Sequence, residues 1–346
     1  MNIRAKRKQN SKNSGNSQIV ICGLKENLQA GDSVPGGSKR LFELSKGLKK
    51  SAHKIAIVNS LKDLLRVNKK TDKSKRYAVV FDERYLILGV FLKLWSFKLI
   101  FCPRGNKLTH FKYYYGPARL KLYRHIFTIL YRFCDKLIFQ TAAQHSEFKK
   151  TYGCNNAFAV IPNNVNTSWM NNLNSNISFP PYPELKKIGF LGGDNPRKGF
   201  KTLEECFRIK EIIDQDLTLL AGGYFSSIQN HNSNLKYCGQ ISDLKKFFSE
   251  IDLLVVPSEY DSFPNTFLEA LAANKPVIIS KNDISDEICH NLNSLTFINT
   301  PFELSRKITS LYTNKEEWEE LIRDCRFLQN EYTFNWTQRF EEEILF

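Results

Sequence analysis

The chain alternates short apolar runs with helix-like stretches, and this alternation is the feature that most restricts its fold. The first half holds "QIVICGL", "KIAIVNS", "YAVVFDE", "FKLIFC", "DKLIFQT" and "FAVIP". Continuous apolar runs of this length, bounded by turn residues, are typical of strands that are buried on both faces. Strands that alternate with helices predict a parallel sheet with helices on both sides.

The pattern starts again in the second half, with "KIGFLGG", "LTLLAGG", "LKYCGQI", "DLLVVPS" and "PVIIS". A length of 346 residues suits two domains. A polar linker with Pro180, Pro181 and Pro183 separates the halves. The prediction is an α/β protein with two doubly wound, Rossmann-like domains. It divides into a disordered basic arm, a first domain, a second domain and a closing segment: 1–17, 18–175, 176–330 and 331–346.

Charge is distributed unevenly between the halves. Residues 1–175 carry 32 Lys and Arg against 9 Asp and Glu, whereas residues 176–346 carry 18 against 26. The basic half should favour an anionic partner such as nucleic acid, a lipid leaflet or a phosphorylated acceptor. The first domain is therefore expected to carry the surface that binds this partner.

The cysteines and the apolar segments predict a cytoplasmic protein. None of the eight cysteines lies within three residues of another, so no metal or redox pair is expected, and reduced core thiols are the interpretation. The N-terminus lacks the pattern of an export signal. The longest apolar stretch, residues 85–102, is interrupted by Lys93 and Lys98 and is not expected to span a membrane.

The segment "DSFPNTFLEALAANKPVII" (residues 261–279) places two carboxylates around the start of an apolar helix. Asn265 or Thr266 is expected to cap that helix. Its first N–H groups would face an anion, while Asp261 and Glu269 would accept hydrogen bonds from sugar hydroxyls. A capping acid and a solvated glutamate are an equally good interpretation of the spacing alone.

The same segment resembles the signature of the family-4 glycosyltransferases, which retain anomeric configuration and have the GT-B fold. The family pairs two glutamates here; this chain has Asp261 for the first, and Asn274 for the usual glycine. The likeness covers about residues 18–346. It implies that residues 331–346 form a closing helix that returns to the first domain, and that the first domain is the acceptor domain. It implies two facing domains with a nucleotide-sugar in the cleft, where doubly wound sheets bind ligands.

The resemblance also implies roles for individual residues. Glu269 would hold the ribose and Asp261 the donor sugar, while Lys198 would stabilise the leaving diphosphate. These three are the predicted catalytic residues. The remaining predicted donor contacts, mostly made through the backbone, are Gly36, Gly37, Arg197, Gly239, Gln240, Ile241, Phe263, Asn265 and Thr266. Gly193 stands where the family usually has arginine, and Arg197 is expected to supply that charge.

Some polar groups fall outside this motif. Arg104, in "CPRGN", would either bind an acceptor phosphate or cap the sheet, and the sequence leaves both open. The pair in "DQD" (residues 214–216) has the spacing of a metal-binding motif but lies away from the strand ends that bind ligands. The histidines lack ligand spacing. No metal site and no cofactor are predicted, apart from a nucleotide-sugar co-substrate, with a UDP-sugar favoured.

The predicted function is a retaining hexosyl- or N-acetylhexosaminyltransferase of surface polysaccharide synthesis, such as capsule or lipopolysaccharide. Its acceptor would be a glycan or lipid-diphosphate-linked sugar, and its basic domain would bind the inner face of the cytoplasmic membrane. The stretch "ARLKLYRHIFTILYRFC" is either an interfacial helix or a core helix with a basic edge. The alternatives are a nucleotide-sugar epimerase and a nucleic-acid-binding protein; the latter is disfavoured because the chain lacks a recognition motif.

Overall fold

The computed structural model describes residues 17–24, 36–51, 53–67, 71–165, 173, 178–182, 185–226 and 234–345. The predicted basic arm lies outside these residues, except for Ser17, which is buried. The chain forms two compact units. The first contains the residues up to Gln140, Gln144–Ile161 and the segment from Asn335 onward; the second contains Thr141–Ala143 and Pro162–Phe334. The final segment therefore belongs to the first unit.

The first unit is built on a six-stranded parallel sheet in the order β2-β1-β3-β4-β5-β6. Its strands are the apolar runs of the first half: β1 Gln18–Cys22, β2 Lys54–Val58, β3 Arg76–Val80, β4 Lys98–Phe101, β5 Lys136–Phe139 and β6 Ala157–Val160. Every residue of β1 and β3 is buried, as expected for strands that are covered on both faces. The strand order reverses between β1 and β3, which makes that pair the switch point of the sheet.

Helices connect these strands, as predicted for parallel pairs. They are α1 Gly36–Lys50, α2 Leu61–Leu65, α3 Leu86–Leu94, α4 Lys107–Phe111, α5 Pro117–Arg132, α6 Ala142–Tyr152 and the closing α14 Trp336–Ile344. Helix α14 packs against α1, and its Trp336 and Phe340 stack on each other within 5.0 Å.

The second unit has a second six-stranded parallel sheet, in the order β12-β11-β10-β7-β8-β9. Its strands are β7 Lys187–Leu191, β8 Thr218–Gly222, β9 Leu235–Gly239, β10 Leu253–Val256, β11 Val277–Ser280 and β12 Thr296–Phe297. Counted from β7, this is the doubly wound order of dinucleotide-binding folds, with its switch point between β7 and β10. The two-residue β12 was not among the predicted strands.

The helices of the second unit are α7 Phe200–Cys206, α8 Lys210–Ile213, α9 Leu244–Glu250, α10 Asn265–Ala272, α11 Asp283–Ile288, α12 Pro301–Thr313 and α13 Lys315–Glu331. The apolar spacing of "GFKTLEECFRIKEI" predicts a single helix, and this prediction is wrong, because the chain turns at residues 207–209 and forms two short helices. Thr300 caps α12 and Asn314 caps α13 through their side-chain oxygens.

All eight cysteines carry free thiols, and seven of them are buried. Burial raises the pKa of Cys22 and Cys206 to about 12, so these thiols stay protonated. No helix in the described part of the chain is long and apolar enough to cross a membrane.

Candidate functional site

The switch point of the second sheet brings together the two segments that the sequence singled out. The loop after β7 contains Lys198, and the loop after β10 contains Asp261. Because β7 and β10 are adjacent parallel strands, their carboxyl ends open onto the same edge of the sheet. This is the edge at which doubly wound sheets bind ligands.

The loop after β7 is shaped by a short 3₁₀ turn at Pro196–Lys198. The Asn195 side chain accepts a hydrogen bond from the Arg197 N–H and so starts the turn. Gly199 then ends it with φ at +70°, in the left-handed region that favours glycine. A Cβ at Gly199 would lie 1.8 Å from the carbonyl oxygen of Pro257, so this glycine lets the loop approach the end of β10.

Lys198 and Asp261 form an ion pair in this position, with 2.6 Å between Nζ and Oδ2. The other carboxylate oxygen accepts the N–H of Phe263 at 3.3 Å. Burial alone would raise the pKa of Asp261, but the charges of Lys198 and Arg197, with the Phe263 N–H, outweigh burial and lower it. Asp261 is therefore held as a carboxylate beside a cation.

Arg197 is anchored on the same loop. Its Nη1 donates to the carbonyl oxygen of Tyr260 at 3.3 Å, and its carbonyl accepts the N–H of Glu259 at 2.9 Å. Its Nε is buried and has no hydrogen-bond partner among the residues that the structure describes. Arg197 thus places a second positive charge close to Asp261.

Gly193 has a structural reason to replace the arginine that the resemblance leads one to expect. Its φ is +61°, and a Cβ there would lie 2.3 Å from the carbonyl oxygen of Tyr224. The turns after β7 and β8 are also joined by hydrogen bonds. The N–H of Gly192 donates to the carbonyl oxygen of Gly222, and that of Asp194 to the carbonyl oxygen of Tyr224, each at 3.0 Å. A side chain at position 193 would force this junction apart.

Helix α10 begins differently from the prediction. Pro264 is its N-cap residue, and no side chain caps the helix, so the expectation that Asn265 or Thr266 would do so is wrong. Proline fixes φ and cannot cap through a side-chain oxygen. The first N–H groups of α10, including those of Asn265 and Thr266, therefore remain suited to bind an anion.

Glu269 lies four residues after Asn265 on α10 and so shares one face of the helix with it. Its side chain is partly exposed, which suits a residue that contacts a ligand. Phe263 is buried instead and packs edge-on against Tyr332 with ring centroids 5.2 Å apart. The Phe263 side chain is therefore not available to a ligand, which leaves its backbone as the group that could contact one.

Asn163 is a residue of this region that the sequence did not single out. It is buried, and its Nδ2 donates to the carbonyl oxygen of Phe263 at 3.2 Å. It thereby fixes the loop that leads into α10. Its position three residues after the end of β6, in "VIPNN", was the available signal, because ligands of doubly wound sheets bind outside the carboxyl ends of the strands.

The turn after β9 lies further along the same edge. Gly239 has φ at +64° and its carbonyl oxygen accepts the N–H of Gly223 at 2.8 Å. Gly239 and Gln240 are exposed, whereas Ile241 packs against the end of β8. These turns belong to the unit that carries Lys198 and Asp261. Gly36 and Gly37 belong to the first unit, where they form the first turn of α1.

No described residues form a group of three or more His, Cys, Asp or Glu that could hold a metal. Asp214 and Asp216 follow α8 and precede β8, at the opposite edge of the sheet from Lys198.

Comparison with known proteins agrees with this arrangement. Residues 176–326, less than half of the chain, match the family model described as "Glycosyl transferases group 1". An uncharacterized glycosyltransferase of Methanocaldococcus jannaschii is 27% identical over 145 residues, which are 38% of this chain and 36% of that protein. The chain spans between 18% and 38% of the length of the curated relatives that it matches.

Solved structures match nearly the whole chain. Sucrose-phosphate synthase from Thermosynechococcus elongatus has a TM-score of 0.73 at 14% identity, over 94% of this chain and 98% of that one. HepE of Anabaena, solved with UDP and glucose, has a TM-score of 0.66 at 14% identity, over 95% and 99%. The predicted fold class is confirmed. The chain has the GT-B fold of glycosyltransferases, and its second unit carries the sequence pattern of glycosyl transferases group 1.

Proposed function

We propose that this protein transfers a hexosyl or N-acetylhexosaminyl group from a nucleotide-diphosphate sugar to a hydroxyl of a glycan or lipid-linked acceptor, with retention of configuration. The observation that carries the proposal is the Lys198–Asp261 pair beside the start of α10, at the switch point of a unit that matches glycosyl transferases group 1. HepE, which shares the fold, was solved in complex with UDP and glucose. That complex supports a UDP-sugar as the donor proposed here.

The donor is divided among these residues by charge. Its diphosphate is anionic and suits Lys198, Arg197 and the N–H groups at the start of α10. The sugar and ribose hydroxyls donate hydrogen bonds, which suits the carboxylates of Asp261 and Glu269. The turn at Gly239, Gln240 and Ile241, in which Gly239 and Gln240 are exposed, offers backbone groups to the rest of the donor.

Lys198 and Asp261 exchange their contact with each other for contacts with the donor when it binds. A diphosphate near Lys198 competes with Asp261 for the ammonium group. A sugar hydroxyl then donates a hydrogen bond to Oδ2 of Asp261 and replaces the hydrogen bond from Lys198. The pair holds both side chains in place before binding, so little side-chain ordering remains to be done at that step.

The reaction needs no separate general base in this scheme. The bond between the anomeric carbon and the phosphate oxygen breaks, and the acceptor oxygen bonds to the same face of that carbon. The acceptor proton passes to the leaving diphosphate. Lys198 and the dipole of α10 stabilise the charge that develops on that diphosphate in the transition state.

The first unit has a surface that suits a membrane-bound acceptor of a surface polysaccharide. Helices α3 and α5 pack together, and each exposes a row of large apolar side chains: Ile87, Phe91 and Leu94 on α3, and Leu122, Ile126 and Ile129 on α5. The segment from Arg84 to Cys134 contains ten Lys or Arg and no Asp or Glu. Apolar rows within a purely basic segment match an anionic lipid leaflet.

The test is a calorimetric titration with UDP-, GDP-, ADP- and dTDP-glucose, on the wild type and on Glu269→Ala and Glu250→Ala. Glu250 is the matched control because it ends α9, on the same unit, at an exposed position. We expect one nucleotide to bind, with an affinity about tenfold or more lower in Glu269→Ala and unchanged in Glu250→Ala. Equal binding to all three proteins would reject the role of Glu269.

A further inference from the structure

Arg104 lies at the ligand-binding edge of the first sheet. It follows β4, which is paired with β3, one of the two strands at the switch point of that sheet. Ligands of doubly wound domains bind outside the carboxyl ends of such strands. The sequence left open whether Arg104 binds an acceptor phosphate or caps the sheet, and its surroundings distinguish these roles.

The loop that carries Arg104 is held on both sides. The carbonyl oxygen of Pro103 accepts Nε2 of Gln144 at 3.0 Å. Two residues after Arg104 in the chain, Asn106 donates to Glu147 at 2.9 Å and accepts the hydroxyl of Tyr152 at 3.0 Å. These contacts hold the backbone on both sides of Arg104. The position of the loop therefore does not depend on hydrogen bonds of the Arg104 side chain.

The guanidinium of Arg104 lies over the ring of Phe81, 4.7 Å from its centroid. Its Nη2 is buried and has no hydrogen-bond partner among the described residues, and in the same part of the chain Arg104 takes part in no ion pair. The carboxylate nearest in sequence to Phe81 is that of Asp82. Arg84 donates to both of its oxygens, at 3.0 Å and 2.9 Å, and Asp82 attracts Arg104 through its charge, without a hydrogen bond among the described residues.

This arrangement is costly without a ligand. Burial lowers the pKa of Arg104 to about 10, so the side chain is still a cation at neutral pH. Buried charges in proteins are normally paired, because the desolvation of an unpaired ion is unfavourable. A sheet cap would leave Nη2 bonded to a backbone carbonyl, which is not what the described residues show. A bound anion would supply the hydrogen-bond acceptor that Nη2 lacks among the described residues.

We propose that Arg104 binds a phosphoryl group carried by the acceptor. A guanidinium offers two parallel N–H donors, which match two oxygens of a phosphate. The surrounding segment, with ten cations and no acid from Arg84 to Cys134, favours a multiply charged anion over a single carboxylate. The assignment of the phosphate to the acceptor rests on the proposed function; the anion site itself does not.

The experiment is a calorimetric titration of the full chain with inorganic pyrophosphate. It compares the wild type with Arg104→Gln, Lys198→Ala and Lys98→Gln. Lys98 is the matched control because it starts the same strand, is exposed and also lies over an aromatic ring, that of Tyr77 at 5.4 Å. Lys98→Gln thus removes the same charge from the opposite end of β4.

We expect the wild type to show a binding event that Arg104→Gln loses or weakens about tenfold or more, and that Lys98→Gln keeps. Lys198→Ala should lose a different event, since it belongs to the donor site. If Arg104→Gln binds like the wild type, the inference is overturned, whatever Lys198→Ala does. If only Lys198→Ala binds like the wild type, the donor site is rejected and the Arg104 site stands.

The melting temperature without phosphate gives a second readout. Removal of an unpaired buried charge should leave the melting temperature of Arg104→Gln unchanged or raise it. A lower melting temperature together with unchanged pyrophosphate binding would mean that Arg104 is structural. Farnesyl diphosphate then identifies the source of the phosphate. Tighter binding than pyrophosphate indicates a lipid-linked acceptor, and equal binding indicates that the phosphate alone is recognised.

Discussion

Lys198 and Arg104 are cations in similar places on two similar sheets, yet their surroundings differ. Each follows the carboxyl end of a strand at or next to a switch point. Lys198 is held by Asp261 at 2.6 Å, whereas Arg104 takes part in no ion pair within the described ranges. The second unit thus pairs its cation directly with a carboxylate, whereas the first unit places its cation over the ring of Phe81.

The largest expected effect is on catalysis in Lys198→Ala. Loss of one group that stabilises developing charge lowers kcat by about 10²–10³-fold. The measurement is UDP release from a UDP-sugar at saturating donor with an acceptor extract. Lys201→Ala is the control. Lys201 lies three residues after Lys198, but its side chain is exposed and forms a long surface ion pair with Glu205, at 3.8 Å. Wild-type turnover in Lys198→Ala would reject a catalytic role for the paired cation.

The next effect concerns the geometry that makes the pair possible. Gly199→Ala would place a Cβ against the carbonyl of Pro257 and should lower the free energy of unfolding by about 3 kcal/mol or more. Gly153→Ala is the control. Gly153 has φ at +64° but nothing within 4 Å of its Cβ position, so it isolates the backbone term of about 1 kcal/mol. Equal losses in urea denaturation would mean that the approach to Pro257 is not required.

The sequence predicted the sheets well because their strands are buried on both faces and read as unbroken apolar runs. It missed β12, whose two residues, Thr296 and Phe297, are too short to form such a run. It also merged α7 and α8, since apolar spacing continues across the turn between them. Only tertiary packing decides where that helix stops.

The candidate site was predicted only in part. The residue types of Lys198 and Asp261 follow from motifs, but their pairing does not, because they are 63 residues apart in the chain. It depends on the left-handed φ of Gly199 and on the parallel register of β7 and β10. The wrong cap on α10 has a simpler cause: two good capping residues follow a proline that takes the cap position itself.

A smaller effect is expected when Lys198 loses its ion pair and, like Arg104, has no paired carboxylate among the described residues. Asp261→Asn removes the charge that neutralises Lys198, so pyrophosphate should bind the second unit severalfold more tightly, as expected for an open cation. Turnover should fall at the same time, because the donor sugar loses a charged acceptor of its hydroxyl hydrogen bond. Calorimetry and steady-state kinetics on the same preparation separate these results. Weaker pyrophosphate binding would contradict the competition between Asp261 and phosphate.

The smallest effect is the acid dependence of stability. The pKa of Asp261 lies below its ordinary value of 3.8 in the folded protein, so the unfolded chain takes up a proton first as the pH falls. The stabilisation is complete above the ordinary pKa and is lost as the pH falls through the lowered one. The stability difference between the wild type and Asp261→Asn should therefore shrink below about pH 4. When Asp261→Asn is made in a Lys198→Ala background, the stability difference should depend less on pH, since Lys198 is the charge that lowers the pKa of Asp261 most. A difference that stays constant down to acid unfolding would mean that Asp261 is not held as a carboxylate by its neighbours, and the contrast with Arg104 would lose its basis.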